Sequence, residues 1–355
     1  MKRLLEQIFT RRQPCLAAVD LGTHRIKAVE VKINRGVPNL AALGSVPAPP
    51  AGPAPEAEAE LAEALGRLMH TAGLTSRQVV ISLPVQQVKT RLLKLPKLTK
   101  QAWQARINHE AQELVGLPAA HLTVRYVKLA EQVDNGQILS SLLLVALPTS
   151  VVEQYYHVFL MAGLRVVGID LPAFSLWRLF GREADRQPLA VIDIGVAAAQ
   201  LVLVQGGRIN WVGQVAVGSD TVTGVIAQSY GISRQEARQL LEEGGRLPSG
   251  EGAASTAPAV QWQLDFYIRE GIDQLAKEIY KHLAPEQTYP GRILLTGATS
   301  RLPGLGGYLS QKWGIATAAG PPACWQSVVD KPDRAYDPAY AVALGLILGE
   351  VGYHV

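Results

Sequence analysis

Val19-Asp20-Leu21-Gly22-Thr23, near the N-terminus, and Val191-Ile192-Asp193-Ile194-Gly195, near the middle of the chain, share one pattern: a short apolar run ending in Asp-x-Gly. The pattern puts a carboxylate and a turn glycine at the tip of a buried strand. The backbone then re-enters as an antiparallel strand, Ile26 to Val31 after the first tip and Gln200 to Val204 after the second. Such tips expose backbone N–H groups that cradle phosphates, with the Asp free to hold a cation or a water. A pair of them at the heads of two chain halves predicts a duplicated fold with a nucleotide clamped between the halves.

The composition agrees with a folded, multi-domain chain. With 355 residues, 48% of them apolar, it exceeds one ordinary core. Its cysteines, Cys15 and Cys324, fit neither a metal-ligand spacing nor a disulfide framework, which suits a reducing cytoplasm. The net charge of +4 comes without a Lys/Arg run or aromatic-basic interleaving, which argues against a nucleic-acid surface. The longest apolar stretches, Ser140 to Leu147 and Ala339 to Leu348, fall short of the roughly 20 residues a spanning helix needs. Residues 1–14 read as a flexible basic segment (Lys2, Arg3, Arg11, Arg12), with Leu4, Leu5, Ile8 and Phe9 on one helical face that would suit anionic lipid or a partner.

Along the chain, residues 15–84 form the first part of one half: the first hairpin, an extended Pro/Ala connector from Val46 to Pro55, a helix from Glu56 to Thr71 and a buried strand from Val79 to Leu83. Residues 85–168 have a different texture and read as an inserted α+β subdomain. Within it stand a strand (Val88 to Leu93), a helix (Lys100 to Val115), a hairpin across Asp134-Asn135-Gly136 and a Thr/Ser-capped helix from Thr149 to Ala162. Residues 169–187 return to the first half. The second half, 188–337, contains a helical subdomain over 236–290 with a mobile Gly/Ser/Ala/Pro loop at 247–258, then the strand Arg292 to Thr296. A closing helix within 338–355 packs back on the first half.

Three landmarks in order, Asp20-Leu21-Gly22-Thr23-His24-Arg25-Ile26-Lys27, Asp193-Ile194-Gly195-Val196-Ala197 and Leu295-Thr296-Gly297-Ala298-Thr299-Ser300-Arg301-Leu302-Pro303-Gly304, resemble the two phosphate motifs and the adenosine motif of the actin/Hsp70/hexokinase ATPase superfamily. The insertion resembles the extra subdomain of its FtsA and PilM branch. Ile26-Lys27-Ala28-Val29-Glu30, Gly163 to Asp170, Gly231 to Ala237 and Ala341-Val342-Ala343-Leu344-Gly345-Leu346 are similar to the PilM family of type IV pilus assembly. The resemblance implies an α/β, actin-like (ribonuclease H-like) duplicated fold with an SHS2-type insertion. It also implies a cytoplasmic adaptor that binds ATP or ADP with Mg2+ and docks the N-terminal tail of a PilN-like inner-membrane protein, with homo-oligomerisation left open.

Carried over residue by residue, the nucleotide site comprises Asp20, Gly22, Thr23, His24, Arg25 and Lys27 in the first loop, and Asp193, Gly195, Val196 and Ala197 in the second. Gly218, Glu236, Gly297, Ala298, Thr299 and Leu302 complete it. Thr23 and Lys27 are equipped for a terminal phosphate. His24 and Arg25 stand where the family carries small hydroxyl residues. Val196 to Ala199 replace its serines and threonines, and Pro172 replaces a second acid that would orient water. Asp20, Asp193 and Asp170 remain as candidates for Mg2+ contacts through water, without direct ligation. These departures predict nucleotide binding with at most slow hydrolysis. Lys89, Arg91, Leu92 and Leu93, on the insertion's first strand, are the candidate groove for the partner peptide. The competing readings are a filament-forming FtsA-like protein, which would carry a C-terminal amphipathic helix not found in this sequence, and a small-molecule kinase, which Pro172 disfavours.

Overall fold

The computed structural model describes residues 15–34, 37–50, 55–134, 136–184, 187–247, 259–283, 288–329 and 335–350. The basic segment 1–14 and the loop expected over 247–258, apart from Leu247, lie outside the described residues. The chain divides into two compact units. Unit 1 takes Met1–Ser175, Gln326–Pro332 and Ala343–His354, and unit 2 takes Leu176–Trp325, Asp333–Val342 and Val355.

Unit 1 is built on a five-stranded sheet of order β3-β2-β1-β4-β8. Strand β1 (Cys15–Leu21) is buried on both faces, as a near-continuous apolar run requires. It pairs antiparallel with β2 (Arg25–Asn34) in a register that sets Asp20 opposite Lys27. Strand β3 (Val37–Pro47) continues the meander from β2. The sequence reading missed it and began the Pro/Ala connector at Val46. Pro38 and Pro47 are tolerated because β3 is an edge strand with one side free of ladder bonds. Helix α1 (Pro55–Thr71), with Glu56 and Glu58 in its first turn, leads into β4 (Gln78–Ser82), parallel to β1. The carboxylate of Glu30 on β2 ties this corner together. It accepts from the Thr75 N–H at 2.6 Å, the Ser76 N–H at 2.8 Å and the Thr75 hydroxyl at 2.9 Å.

The insertion follows as β5 (Lys89–Pro96), α2 (Lys100–Val115), β6 (Leu122–Asp134), β7 (Gln137–Pro148) and α3 (Thr149–Met161), in a sheet of order β5-β7-β6. Leu93, Leu95, Ile107, Leu142 and Leu144 make a core of their own between α2 and the sheet. Thr99 caps α2 through its side chain and Gly116, at φ 80°, closes it. The expected Thr/Ser cap on α3 is corrected: its cap position is Pro148, which makes no side-chain bond, and the Thr149 hydroxyl instead meets that of Thr123 at 3.2 Å. Strand β8 (Arg165–Asp170) then pairs parallel to β4, and α4 (Pro172–Phe180) carries the chain from unit 1 into unit 2.

Unit 2 repeats the plan, with order β11-β10-β9-β12-β13. Its strands are β9 (Leu189–Ile194), β10 (Ala199–Gln205), β11 (Arg208–Val215), β12 (Arg292–Thr296) and β13 (Ala316–Ala319). As in unit 1, an antiparallel meander is followed by two parallel strands. Helices α5 (Ser219–Tyr230), α6 (Arg234–Gly244), α7 (Ala259–Tyr280) and α8 (Leu305–Trp313) accompany it. Ile192, Ile194, Leu201, Ile226, Ile268, Ile272 and Leu295 belong to one buried core. Helix α9 (Ala341–Glu350) returns the chain to unit 1, where the Ser175 carbonyl lies 2.1 Å from where a Cβ on Gly345 would sit. No helix among the described residues is long and apolar enough to cross a membrane.

Candidate functional site

In each unit the Asp at the first strand's tip meets a hydroxyl on the parallel neighbour. The Ser82 hydroxyl donates to Asp20 Oδ1 at 2.8 Å, and the Thr296 hydroxyl to Asp193 Oδ1 at 2.9 Å. The register makes this inevitable, since Ser82 lies beside Asp20 and Thr296 beside Asp193. Neither hydroxyl was singled out from sequence. The signal was available: each is the last residue of its own strand.

The first loop brings together Asp20, Gly22 and Lys27. Lys27 Nζ lies 3.0 Å from Asp20 Oδ2, both side chains being largely buried. Gly22 is demanded by the turn, because a Cβ there would sit 2.6 Å from the Arg25 carbonyl oxygen. Thr23 is exposed beside it. Arg25 points elsewhere: its Nε donates to the Ser45 hydroxyl at 3.0 Å and its Nη2 to the Ser45 carbonyl at 3.1 Å, which fastens β2 to β3. The His24 carbonyl accepts from the Ala48 N–H at 2.9 Å.

The second loop is held by its own backbone. The Gly195 N–H donates to the Ala198 carbonyl at 3.0 Å, and the first amides of α5 are spent on the loop, Ser219 on the Gly195 carbonyl (3.0 Å) and Asp220 on that of Val196 (2.9 Å). Gly218 is what allows α5 to begin there, since a Cβ would lie 2.3 Å from the Val196 oxygen. Val196 to Ala199 carry no polar side-chain atom, so beyond Asp193 this loop offers a ligand only main chain. Opposite Asp193, where the first loop has Lys27, the register places Gln200. Its amide donates to the Gly213 carbonyl at 2.6 Å.

The third motif abuts the second loop. Gly297, at φ 84°, brings its Cα against the Ile194 backbone, where a Cβ would fall 2.5 Å from the carbonyl oxygen. Thr299 donates to the Gly195 carbonyl at 3.3 Å, and Ala298 to Arg301 form a short 3-10 turn closed by Leu302. Glu236 sits at the third position of α6. It accepts from the Ser233 N–H and hydroxyl at 2.8 and 2.7 Å in a capping box, and the Ser233 hydroxyl first, then the Ser233 amide, hold its carboxyl below the usual range. Asp170 Oδ1 accepts the Leu171 N–H at 2.7 Å, and Pro172 opens α4.

On the insertion, strand alternation sends Lys89, Arg91 and Leu93 to the face under α2. Arg91 Nη1 pairs with Glu110 Oε2 of α2 at 3.0 Å, and Leu93 is buried in the core there. Leu92 faces the other way, and Lys89 stays exposed near the start of the edge strand β5. The groove expected from four neighbouring residues is therefore split between two faces.

Ser82 and Lys27 each engage one oxygen of the Asp20 carboxylate, so a divalent cation ligated directly by Asp20 would sit against the Lys27 ammonium. No cluster of three or more His, Cys, Asp or Glu side chains suited to a metal exists among the described residues.

The repeated sheet has solved counterparts. The ethanolamine utilization protein EutJ from Carboxydothermus hydrogenoformans superposes with a TM-score of 0.56 at 17% identity, over 98% of this chain and 96% of that one. MreB5 of Spiroplasma citri bound to ADP gives 0.52 at 12%, over 96% and 98%. These likenesses define an actin-like α/β protein. A solved PilM-PilN type IV pilus biogenesis complex is more similar, with a TM-score of 0.79 and 25% identity over 95% of this chain and 98% of that one. The sequence profile of a family described as type IV pilus assembly protein PilM matches residues 18–351, and the chain belongs to that family.

Proposed function

We propose that this protein is a nucleotide-binding adaptor of type IV pilus assembly, or of a related competence or secretion machine. It acts at the cytoplasmic face of the inner membrane, where it captures the N-terminal tail of a PilN-like protein. The observation that carries this reading is the family match together with the likeness, along nearly the whole chain, to a PilM solved with PilN. Nucleotide, ATP or ADP, is assigned to the first loop (Asp20, Gly22, Thr23, Lys27), the backbone of the second (Asp193, Gly195, Val196, Ala197) and the turn Gly297 to Leu302. Hydrolysis is slow in this reading, because Pro172 has no side-chain group to orient water and Val196 to Ala199 have none to hold it. The tail is assigned to the edge strand β5 near Lys89 and Leu92, with Arg91 contributing if it leaves Glu110.

The test is retention of the full-length chain by an immobilised peptide of the partner's cytoplasmic tail, with and without ATP and Mg2+. Retention is expected in at least one condition, and none in either would remove the adaptor reading. Mass spectrometry of nucleotide released from the purified protein tests the loops separately. Asp20→Ala is expected to carry less nucleotide than the parent, and equal occupancy would unseat the assigned phosphate site.

A further inference from the structure

The two Asp tips differ in one respect that the duplication throws into relief. At the first, the residue opposite the Asp is Lys27, whose ammonium lies 3.0 Å from Asp20 Oδ2. At the second it is Gln200, turned away onto the Gly213 carbonyl. Asp20 is 7% exposed and its other oxygen accepts from Ser82. Its charge is thus already neutralised from within the protein, at the place where a hydrated divalent cation would otherwise sit against a carboxylate. A cation arriving there meets a like charge in Lys27, whose stem runs beside Gly22, 3.9 Å from that residue's Cβ position. At the second tip the neighbouring Val196 to Ala199 supply no hydroxyl for the water shell of a Mg2+ ion.

We propose that Lys27 takes the place of a divalent cation in the first loop, so that this protein holds a nucleoside polyphosphate with little dependence on Mg2+. A lysine is a compact point charge able to face a carboxylate on one side and phosphate oxygens on the other. Free ATP carries the negative charge that a bound Mg2+ would partly cancel, and the Lys27 ammonium meets that charge directly. The inference rests on the nucleotide reading given above.

The experiment is a titration of the nucleotide-stripped full-length chain with ATP by calorimetry, once in excess EDTA and once in excess Mg2+, for the parent, Lys27→Met and Lys27→Arg. For the parent, the two dissociation constants are expected to agree within about threefold, and Lys27→Met is expected to bind about tenfold or more weakly in EDTA while recovering in Mg2+. Lys27→Arg keeps the charge and is expected to keep the metal independence, which separates loss of charge from loss of fold. A parent protein that loses its affinity in EDTA, or a Lys27→Met that binds equally well without metal, overturns the inference while leaving nucleotide binding standing. Absence of ATP binding by the parent in both buffers overturns the nucleotide reading, and this inference with it.

Discussion

Replacing Glu30 tests how the first unit is fastened. This carboxylate is 1% exposed and takes hydrogen bonds from the Ser76 amide, the Thr75 amide and the Thr75 hydroxyl. Burial alone would raise its pKa, but the Ser76 amide foremost, then the Cys15 thiol and the two Thr75 groups, hold it below the ordinary 4.5. Glu30→Ala strands the buried Ser76 N–H, while Thr75, which is exposed, regains water. Hydrogen bonds to a charged acceptor are worth about 1.5–3 kcal/mol each, and with the Thr75 pair discounted the loss comes to about 3 kcal/mol. At about 2–4 °C per kcal/mol for a unit of this size, Tm falls by roughly 6–12 °C. Glu30→Gln keeps an oxygen for both amides and should cost only about 1 kcal/mol. The folded-state pKa is depressed, so the charge contributes stability that is fully present above about 4.5 and is lost as pH falls through the folded value. The parent-to-Gln gap should therefore be widest near neutrality and close in acid. Urea unfolding followed by circular dichroism across that range reads both. A Glu30→Ala midpoint indistinguishable from the parent, or a Gln gap that does not shrink in acid, would refute the reasoning.

Gly218→Ala forces a Cβ against two carbonyl oxygens of the second loop, and α5 must shift at a cost of about 1–3 kcal/mol. A lower Tm with weakened nucleotide retention is expected, and an unchanged Tm would contradict the packing described. Cys324, whose thiol burial pushes up to about 11, should react slowly with a thiol reagent. At pH 8 only about 0.1% of such a thiol is ionised, so labelling should become fast only on unfolding; rapid native labelling mapped to Cys324 by mass spectrometry would count against its burial. Lys89→Glu should weaken capture of an acidic partner tail several-fold at low salt and much less at high salt, as measured by fluorescence anisotropy, since an exposed charge acts through a screened field.

The two Asp-x-Gly tips were legible because a turn glycine and a strand-end carboxylate are local signals, and the duplicated fold followed from finding them twice. Other features were hidden for physical reasons. Strand β3 contains Pro38, Gly44 and Pro47, and β13 is Ala-Thr-Ala-Ala, so neither has strand propensity of its own. Each is a strand because a neighbour's ladder makes it one. The pairing of Arg91 with Glu110 joins a strand to a helix packed across it, and nothing in the local pattern of either residue announces it. The same holds for Arg25, which sequence set beside phosphates and the fold sets on Ser45. Glu236 was readable in another way: Ser233 three residues before it is the sequence signature of a helix cap.

Helix α9 carries a consequence for the order of synthesis. Its apolar residues from Ala343 onward belong to the unit that also contains β1, and Gly345 seats them against the Ser175 carbonyl. Unit 2 consists largely of one uninterrupted stretch, Leu176–Trp325. During translation, therefore, the segment made first is the one completed last. Unit 1, which carries Asp20 and Lys27, stays incomplete until residues 343–350 have emerged from the ribosome, while the central stretch is free to assemble beforehand. A truncation that removes α9 should for this reason injure the most N-terminal motif of the chain, the one farthest from the cut in sequence.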